Sequence, residues 1–299
     1  MTKILTIIVS YNFEKWIHPC LSSVEKSTLP TDILVIDNRS TDQTVAIIQE
    51  NYPHIRLIAN KTNLGFGKAN NIGMQIALQE GYDAVFLLNQ DAWISPDTLQ
   101  VLATLSKKHP DFGILSPVHF DGSGNKLDKG FASYASITDI NQLPADNTPI
   151  ECSFINAAFW FIPIHILQKV GGFSPLFYHY GEDKDYVNRL HFHQYKIGYS
   201  PITYAYHDRA FREVPLSGFL RAERVYLLSE FTNINYTLYK AFSYSILAGV
   251  KKLMNCVLKG EFACASGYIH IIGDLFKQSK RIYLTRKQTQ KSNPNYLNE

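Results

Sequence analysis

The sequence has few cysteines and no long apolar run. Four cysteines, Cys20, Cys152, Cys256 and Cys264, are scattered along 299 residues, and no two of them form a Cys-x-x-Cys pair. This spacing is typical of reduced thiols in a cytosol and argues against a disulfide framework or a zinc site. No stretch reaches the ~20 apolar residues that span a bilayer, so the sequence predicts no transmembrane helix.

Two common nucleotide-binding motifs are also missing. There is no G-x-x-x-x-G-K-[ST] segment, which argues against P-loop hydrolysis. Gly65-Phe66-Gly67 lacks the G-x-G-x-x-G spacing and follows the third predicted strand, so we reject a dinucleotide fingerprint. Internal repeats and low-complexity segments are absent. The apolar run at residues 4–9 is too short for a signal peptide, and no cleavage site follows it. We therefore expect these residues to form a buried strand.

The charge is unevenly distributed along the chain. Residues 211–299 contain 13 Lys/Arg and 6 Asp/Glu, a net charge of +7, whereas residues 1–210 contain 16 and 20, a net charge of −4. Aromatic and apolar residues alternate with the basic ones after position 211. We therefore predict an α/β domain over residues 1–210 and a basic, aromatic-rich helical region over residues 211–299.

Short apolar runs alternate with helical patterns through the first domain. The predicted strands are residues 4–9, 33–36, 55–58, 84–88, 114–118 and 198–206, and the predicted helices include residues 16–26, 43–51, 97–109, 163–170 and 183–194. This alternation predicts an α/β fold with a mostly parallel central sheet, followed by a helical C-terminal appendage. Residues 121–150 lose all periodicity and are predicted to be a loop.

Polar side chains follow four of the predicted strands. They are Ser10-Tyr11-Asn12, Asp37-Asn38, Asn89-Gln90-Asp91 and His207-Asp208. Because parallel strands end at one edge of a sheet, these groups are expected to form a concave polar site. A carboxylate such as Asp91 can bind a divalent cation, and the cation can bind a pyrophosphate. Each group alone has a simpler explanation, such as a surface turn, a helix cap at Asp37 or a structural role for His207.

Two further segments contain residues that suit ligand binding or proton transfer. The glycines of Gly65-Phe66-Gly67 allow a ligand to approach the backbone, and the helix that contains Asn70 begins there and directs its N-terminus at phosphate. Glu182, Asp183 and Asp185 crowd three carboxylates into four residues. Such crowding raises the pKa of a carboxyl group and prepares it as a base. The alternative is an acidic first turn that suits the helix dipole.

Taken together, these segments resemble the family 2 inverting glycosyltransferases of the GT-A fold, especially the bacterial rhamnosyltransferase-like branch. The resemblance covers about residues 3–209. It implies a Rossmann-like domain that transfers a sugar, with inversion, from a nucleoside diphosphate sugar to a hydroxyl of a glycan or lipid-linked acceptor. The implied process is cell-surface polysaccharide biosynthesis in the cytoplasm, with no nucleic acid as partner.

The resemblance also implies roles for single residues. Asp37 matches a base-binding aspartate, Asp91 matches a ligand of Mg²⁺ or Mn²⁺, and His207 matches a histidine that completes the metal site. Glu182 and Asp183 match the acidic pair that supplies the base, and Asp183 is our choice for it. The implied donor site contains Ser10, Tyr11, Asn12, Asp37, Asn38, Gly65, Phe66, Asn70, Asn89 and Gln90.

Alternatives to this interpretation rest on other features. Asn89 stands where many members have aspartate, which favours a catalytically silent nucleotide-sugar-binding scaffold, whereas the intact Glu182-Asp183 argues against one. A nucleotidyltransferase would need a glycine-rich basic loop after the first strand, and Ser10-Tyr11-Asn12 is neither. The basic C-terminal helices are expected to lie on an anionic membrane at its cytoplasmic face, or else to pack on the α/β domain or on a second copy.

Overall fold

The computed structural model describes residues 2–209 and 215–297. Strands and helices alternate along its first part. These are β1 (Ile4–Ser10), α1 (Ile17–Glu25), β2 (Asp32–Asp37), α2 (Thr44–Asn51), β3 (Arg56–Ala59), α3 (Phe66–Gln79) and β4 (Ala84–Asn89). The bounds agree closely with the predicted ones, because each of these elements has the periodicity of its own class.

The second part of the α/β region is less regular. It contains β5 (Ala92–Ile94), α4 (Thr98–Lys108), β6 (Phe112–Asp121), α5 (Lys129–Ala135), β7 (Ile150–Glu151), β8 (Phe159–Pro163), α6 (Ile164–Val170), α7 (Glu182–Phe192) and β9 (Lys196–His207). Three long helices follow, α8 (Leu216–Thr232), α9 (Leu238–Leu258) and α10 (Phe262–Thr289). The predicted boundary near residue 210 falls on residues 210–214, which lie outside the described residues.

One sheet contains all nine strands found in residues 2–209. Its order is β3-β2-β1-β4-β8-β6-β9-β5, and β7 pairs with β9. Strands β1 to β4 are parallel, β6 is parallel to β9, and β8 lies antiparallel between β4 and β6. The prediction of an α/β fold with a mostly parallel sheet and C-terminal helices is therefore confirmed. The reversed direction of β8 was not predicted, because an apolar run does not reveal strand direction.

Helices cover both faces of the sheet. Along β1, Ile4 and Ile8 pack on the side of α1, α2 and α4, whereas Leu5 and Ile7 pack on the side of α3, α6 and α7. All four side chains are buried. A strand that is buried on both faces reads as a continuous apolar run, as β1 and β4 do. Packing on both faces thus fixes the positions of the polar residues that end β1 and β4.

The prediction of an uninterrupted loop over residues 121–150 was wrong. Helix α5 forms within it, because the Asp128 carboxylate accepts a hydrogen bond from the Phe131 backbone N–H at 2.9 Å. The Phe131 ring is fully buried, with centroids 4.8 Å from the His119 ring and 5.0 Å from the Tyr199 ring. A single helix cap and one buried aromatic residue therefore stabilise a short helix that shows no periodicity in the sequence.

The C-terminal helices have a hydrophobic core of their own. Leu227, Tyr268 and Leu275 are buried in it, and Leu176 and Phe177 of the α/β region insert into the same core. Helix α8 is thereby fixed beside the segment that precedes α7. Across residues 2–209 and 215–297, no helix combines the length and the apolar character needed to cross a bilayer.

Candidate active site

Strand register brings the predicted polar groups together. Ser10 at the end of β1 pairs with Asp37 at the end of β2, and Val9 pairs with Asn89 at the end of β4. Strand β5 continues from β4 and pairs with β9, with Ala92 opposite His207. The four polar strand ends therefore lie along one edge of the sheet, as the sequence predicts.

Asp37 is placed beneath the surface of this edge. Its side chain is only 1% exposed. Its Oδ1 accepts hydrogen bonds from the Ser10 hydroxyl at 2.9 Å and from the Ser40 hydroxyl, and its Oδ2 accepts one from the Ser40 backbone N–H at 2.9 Å. In this arrangement Asp37 joins the loops after β1 and β2. Its contact with a base stays a prediction.

Three predicted asparagines also shape the site. Asn12 accepts a hydrogen bond from the Thr41 backbone N–H at 2.9 Å, and the buried Asn70 donates to the Phe66 carbonyl at 3.0 Å. Asn38 donates to the Gly65 carbonyl at 3.2 Å. Of the three, Asn38 lines the cavity described next, whereas Asn12 and Asn70 support its walls.

A cavity of about 810 Å³ lies over the edge. Eight predicted residues line it: Ser10, Tyr11, Asn38, Gly65, Phe66, Asn89, Gln90 and Asp91. We call it the first cavity. Gly65 has a φ of +80°, and a Cβ there would lie 2.1 Å from the Tyr178 carbonyl oxygen. The loop after β3 can therefore close against residues 176–180 only if position 65 is glycine.

Two arginines of α8, Arg221 and Arg224, line the same cavity and were not predicted from the sequence. The segment Tyr178-His179-Tyr180 lines it as well. The only signal in the sequence was the basic composition of the C-terminal region, for which we expected membrane contact or packing on the α/β domain or on a second copy. The structure brings two of these charges to the candidate site.

Asp91 and His207 lie next to each other at this edge of the sheet. Asp91 Oδ1 is 3.1 Å from His207 Nε2, and the Asn89 amide nitrogen is 3.4 Å from the same Nε2. Two ligands bound side by side to an octahedral cation, each at about 2.1 Å, lie about 3 Å apart. The carboxylate and the imidazole therefore fit a divalent cation. Arg209 donates to His207 Nδ1 at 3.1 Å, so Nε2 carries the proton when no cation is bound. Cation binding at Nε2 would move this proton to Nδ1 and break the hydrogen bond from Arg209.

A second cavity, of about 490 Å³, contains both predicted catalytic residues. Glu182 and Asp183 line it, together with Asp91 and His207. Phe66, Asn89, Asp91, His179 and Tyr180 line both cavities and form the wall between them. The two acidic groups line only the second cavity, whereas Asp91 lines both.

Burial changes the acidity of both carboxyl groups. Glu182 is 5% exposed, and burial, with the charge of Asp183 beside it, raises its pKa to about 7. Burial also raises the pKa of Asp183, and the Lys184 backbone N–H opposes this by donating to Asp183 Oδ1 at 2.8 Å. Asp183 is the more exposed of the two. Both groups have the raised basicity that a general base needs.

Asp185, the third carboxylate of the cluster, has a structural role. It is buried and accepts a hydrogen bond from Arg189 Nε at 2.9 Å. Arg189 also donates to the Val170 carbonyl at 2.9 Å and to the Gly172 carbonyl at 2.6 Å. These contacts join α7 to the end of α6. They hold the first turn of α7, with Glu182 and Asp183, against the second cavity.

A mostly parallel α/β sheet with an acidic, amide-rich edge of this kind is the GT-A arrangement. The model of the family described as "Glycosyl transferase family 2" matches residues 6–170, more than half of the chain. The chain belongs to glycosyl transferase family 2.

Two curated relatives are each 30% identical to the chain. One is the N-acetylglucosaminyl-diphospho-decaprenol L-rhamnosyltransferase of Mycobacterium tuberculosis, matched over 135 residues, which is 42% of this chain and 44% of that protein. The other is the poly(ribitol-phosphate) beta-N-acetylglucosaminyltransferase TarS of Staphylococcus aureus, matched over 131 residues, which is 42% of this chain and 22% of that protein. The match spans less than half of either relative.

Solved structures show the same fold. A crystal structure of S. aureus TarS 1–349 has a TM-score of 0.58 and 17% identity, and covers 99% of this chain and 89% of that one. A complex of TarS 1–349 with UDP-GlcNAc has a TM-score of 0.55 and 16% identity, with 93% and 92% covered. GalNAc-T7 with UDP, GalNAc and Mn²⁺ has a TM-score of 0.55 and 13% identity, with 76% and 50% covered.

The raised pKa of Glu182 predicts a pH-dependent effect on stability. The folded protein keeps this proton up to about pH 7, whereas the unfolded chain loses it near the ordinary glutamate pKa of 4.5, so stability falls as pH rises through that window. Glu182→Gln removes the charge. We expect its free energy of unfolding to match the parent protein at pH 4 and to exceed it by up to about 3 kcal/mol at pH 8.

Denaturant titrations at both pH values measure this difference. Glu50→Gln, at an exposed position on α2, is the matched control and should show no pH-dependent gain. A Glu182→Gln protein that is less stable than its parent at pH 8 would show that the carboxylate has a favourable partner in the folded state.

Proposed function

We propose that the chain is an inverting glycosyltransferase that moves a sugar from a nucleoside diphosphate sugar to a hydroxyl of a glycan or lipid-linked acceptor. The observation that carries the proposal is the pair of cavities that meet at Asp91. One cavity has amides and two arginines, and the other has two carboxyl groups with raised pKa. The names of the two relatives specify an N-acetylglucosaminyl-diphospho-decaprenol and a poly(ribitol-phosphate), which supports a place in cell-surface polysaccharide biosynthesis.

The first cavity suits the nucleoside diphosphate. Arg221 and Arg224 offer positive charge to the phosphates, while Asn38 and Gly65, bonded to each other at 3.2 Å, form part of the wall against which the nucleoside would lie. Asp91 and His207 would hold Mg²⁺ or Mn²⁺ beside the diphosphate, and a flip of the Asn89 amide would offer its oxygen as a further ligand. A cation bound there would neutralise charge on the departing diphosphate. The Mn²⁺ in the GalNAc-T7 structure supports this cofactor class.

The second cavity suits the acceptor. Asp183 takes the proton of the attacking hydroxyl, on the face of the sugar opposite to the diphosphate, and this geometry inverts the configuration at the reacting carbon. Glu182 lies deeper and holds its own proton up to about pH 7. A silent scaffold would have no use for two buried carboxyl groups at this place. A rhamnosyl donor is the first choice, on the resemblance and on the M. tuberculosis relative.

Metal dependence is tested at Asp91. With Mg²⁺ or Mn²⁺ present, we expect Asp91→Ala to weaken nucleoside diphosphate binding at least ~10-fold in calorimetry, because the cation loses its carboxylate ligand. With a chelator, the variant and its parent should bind equally. Asp111→Ala, which removes an exposed carboxylate that pairs with Lys196, is the control. Equal affinity with metal and with chelator in the parent protein would remove the metal from the proposal.

The base is tested at Asp183. We expect Asp183→Asn to keep the affinity for the nucleotide sugar and to reduce transfer by about 10²–10⁴-fold, the contribution of a general base. Rates with the acceptor, measured across a panel of nucleotide sugars, check this. Glu182→Gln is the companion variant. If Asp183→Asn transfers at the parental rate and Glu182→Gln does not, the base is Glu182.

We also propose that the protein works in the cytoplasm and attaches to the inner membrane face through α9 and α10. Both helices expose large apolar side chains: Tyr239, Leu247, Leu258, Phe262 and Ile269 are between 59% and 86% exposed. Exposed lysines lie among them, including Lys240, Lys251 and Lys259. Apolar groups inserted between lipids with basic groups at anionic head groups would give salt-sensitive binding. A second copy covering these helices is the alternative.

Vesicle flotation distinguishes the two. Full-length protein should float with anionic vesicles at low salt and be released by high salt, and the double variant Leu247→Glu with Leu258→Glu should remain in solution. Lys61→Glu, an exposed change on the α/β domain, serves as the control. If the protein does not float with the vesicles and has the mass of a dimer in solution, a second copy covers this surface.

A further inference from the structure

The second cavity contains unpartnered polar atoms that the proposed mechanism does not use. Among the described residues, seven buried side-chain nitrogen or oxygen atoms lack a hydrogen-bond partner in the protein. Three of the seven belong to two residues that line this one cavity: Nδ2 and Oδ1 of Asn156, and Oε2 of Glu182. Folded proteins leave few such groups, so a concentration around one cavity requires an explanation.

Asn156 is the more unusual of the two. It is 8% exposed, and neither its donor nor its acceptor is bonded within the protein. It lies just before β8, whose antiparallel direction brings the start of that strand to the same edge as the end of β4, with Leu88 opposite Phe159. The fold therefore delivers an unbonded amide to the wall of the cavity beside the residues that carry the chemistry.

We propose that Asn156 and Glu182 form a subsite for sugar hydroxyl groups, and that Asn156 determines which sugar is accepted there. A hydroxyl both donates and accepts hydrogen bonds, so an amide N–H, an amide oxygen and a carboxyl oxygen together can bind two neighbouring hydroxyls of one ring. The inference rests on the proposed glycosyl transfer. The sugar is either the one being transferred or the acceptor sugar, because both would meet in this cavity.

Other residues around the cavity are less suitable for this role. Asp183 is assigned to proton transfer, and Asp91 and His207 bond to each other at 3.1 Å. Asn71 shows how a structural asparagine in this protein is bonded, since it accepts from the Phe173 N–H at 2.7 Å and donates to the Phe173 carbonyl at 2.9 Å. Asn156 has no such contacts, so its removal breaks no bond within the protein.

Two measurements on Asn156→Ala test the proposal. The first is thermal unfolding: we expect a melting temperature equal to or above the parental one, whereas Asn71→Ala, the matched control, should lower it. The second is ligand affinity, measured by calorimetry with UDP, dTDP and a panel of their sugar conjugates that includes UDP-GlcNAc and dTDP-rhamnose, and by transfer kinetics. We expect a loss of about 10- to 100-fold for the sugar that occupies the subsite, because its hydroxyls lose their partners.

The two sources of the sugar give different results. If the transferred sugar is bound, affinity for the sugar nucleotide falls while affinity for the bare nucleotide is unchanged. If the acceptor is bound, both nucleotide affinities are unchanged and the KM for the acceptor rises. An Asn156→Ala protein within 2-fold of its parent in all of these, with a parent that transfers sugar, overturns the subsite. A parent that binds none of the sugar nucleotides overturns the proposed function and the subsite with it.

Discussion

The register between β1 and its two neighbours is the constraint on which the site depends. It sets Ser10 beside Asp37 and Val9 beside Asn89, so loops from three separate parts of the chain begin at one level of the sheet. A slip of one residue would turn the buried side chains of β1 to the opposite face, and the apolar packing on both faces prevents this. The buried hydrogen bond between Ser10 and Asp37 then joins two of these loops directly. The packing of the sheet thereby fixes the positions of the polar residues at its edge.

The sequence predicts most of the polar residues at this edge, but not the residues of other segments that line the same cavities. Apolar runs that end in polar residues identified β1, β2, β4 and β9, and parallel strands must end together, so Asp91 and His207 were expected near each other. Arg221, Arg224 and Asn156 depend on contacts between distant parts of the chain. No local pattern marks them, because their importance comes from the wall on which packing places them.

The buried state of Asp37 and Asp185 shows a second limit of sequence patterns. Asp37 ends β2 and Asp185 lies in the first turn of α7, yet both carboxylates accept hydrogen bonds from groups within the protein. Glu182 belongs to the same acidic cluster as Asp185 and is left with an unbonded oxygen. Whether a carboxylate serves the ligand or the fold depends on which partners the tertiary structure supplies. Spacing along the chain does not contain that information.

The antiparallel insertion of β8 affects how such a site can change over evolutionary time. The first cavity takes its sheet-side residues from positions 9–91, whereas the second takes several of its residues from positions 134–183. Because β8 enters the sheet against the direction of its neighbours, residues 156–158 just before it reach the edge at which β4 ends. Insertions or substitutions ahead of β8 can therefore alter one half of the site while leaving the other half intact. Such separation would let the two cavities change independently, by drift in a single segment.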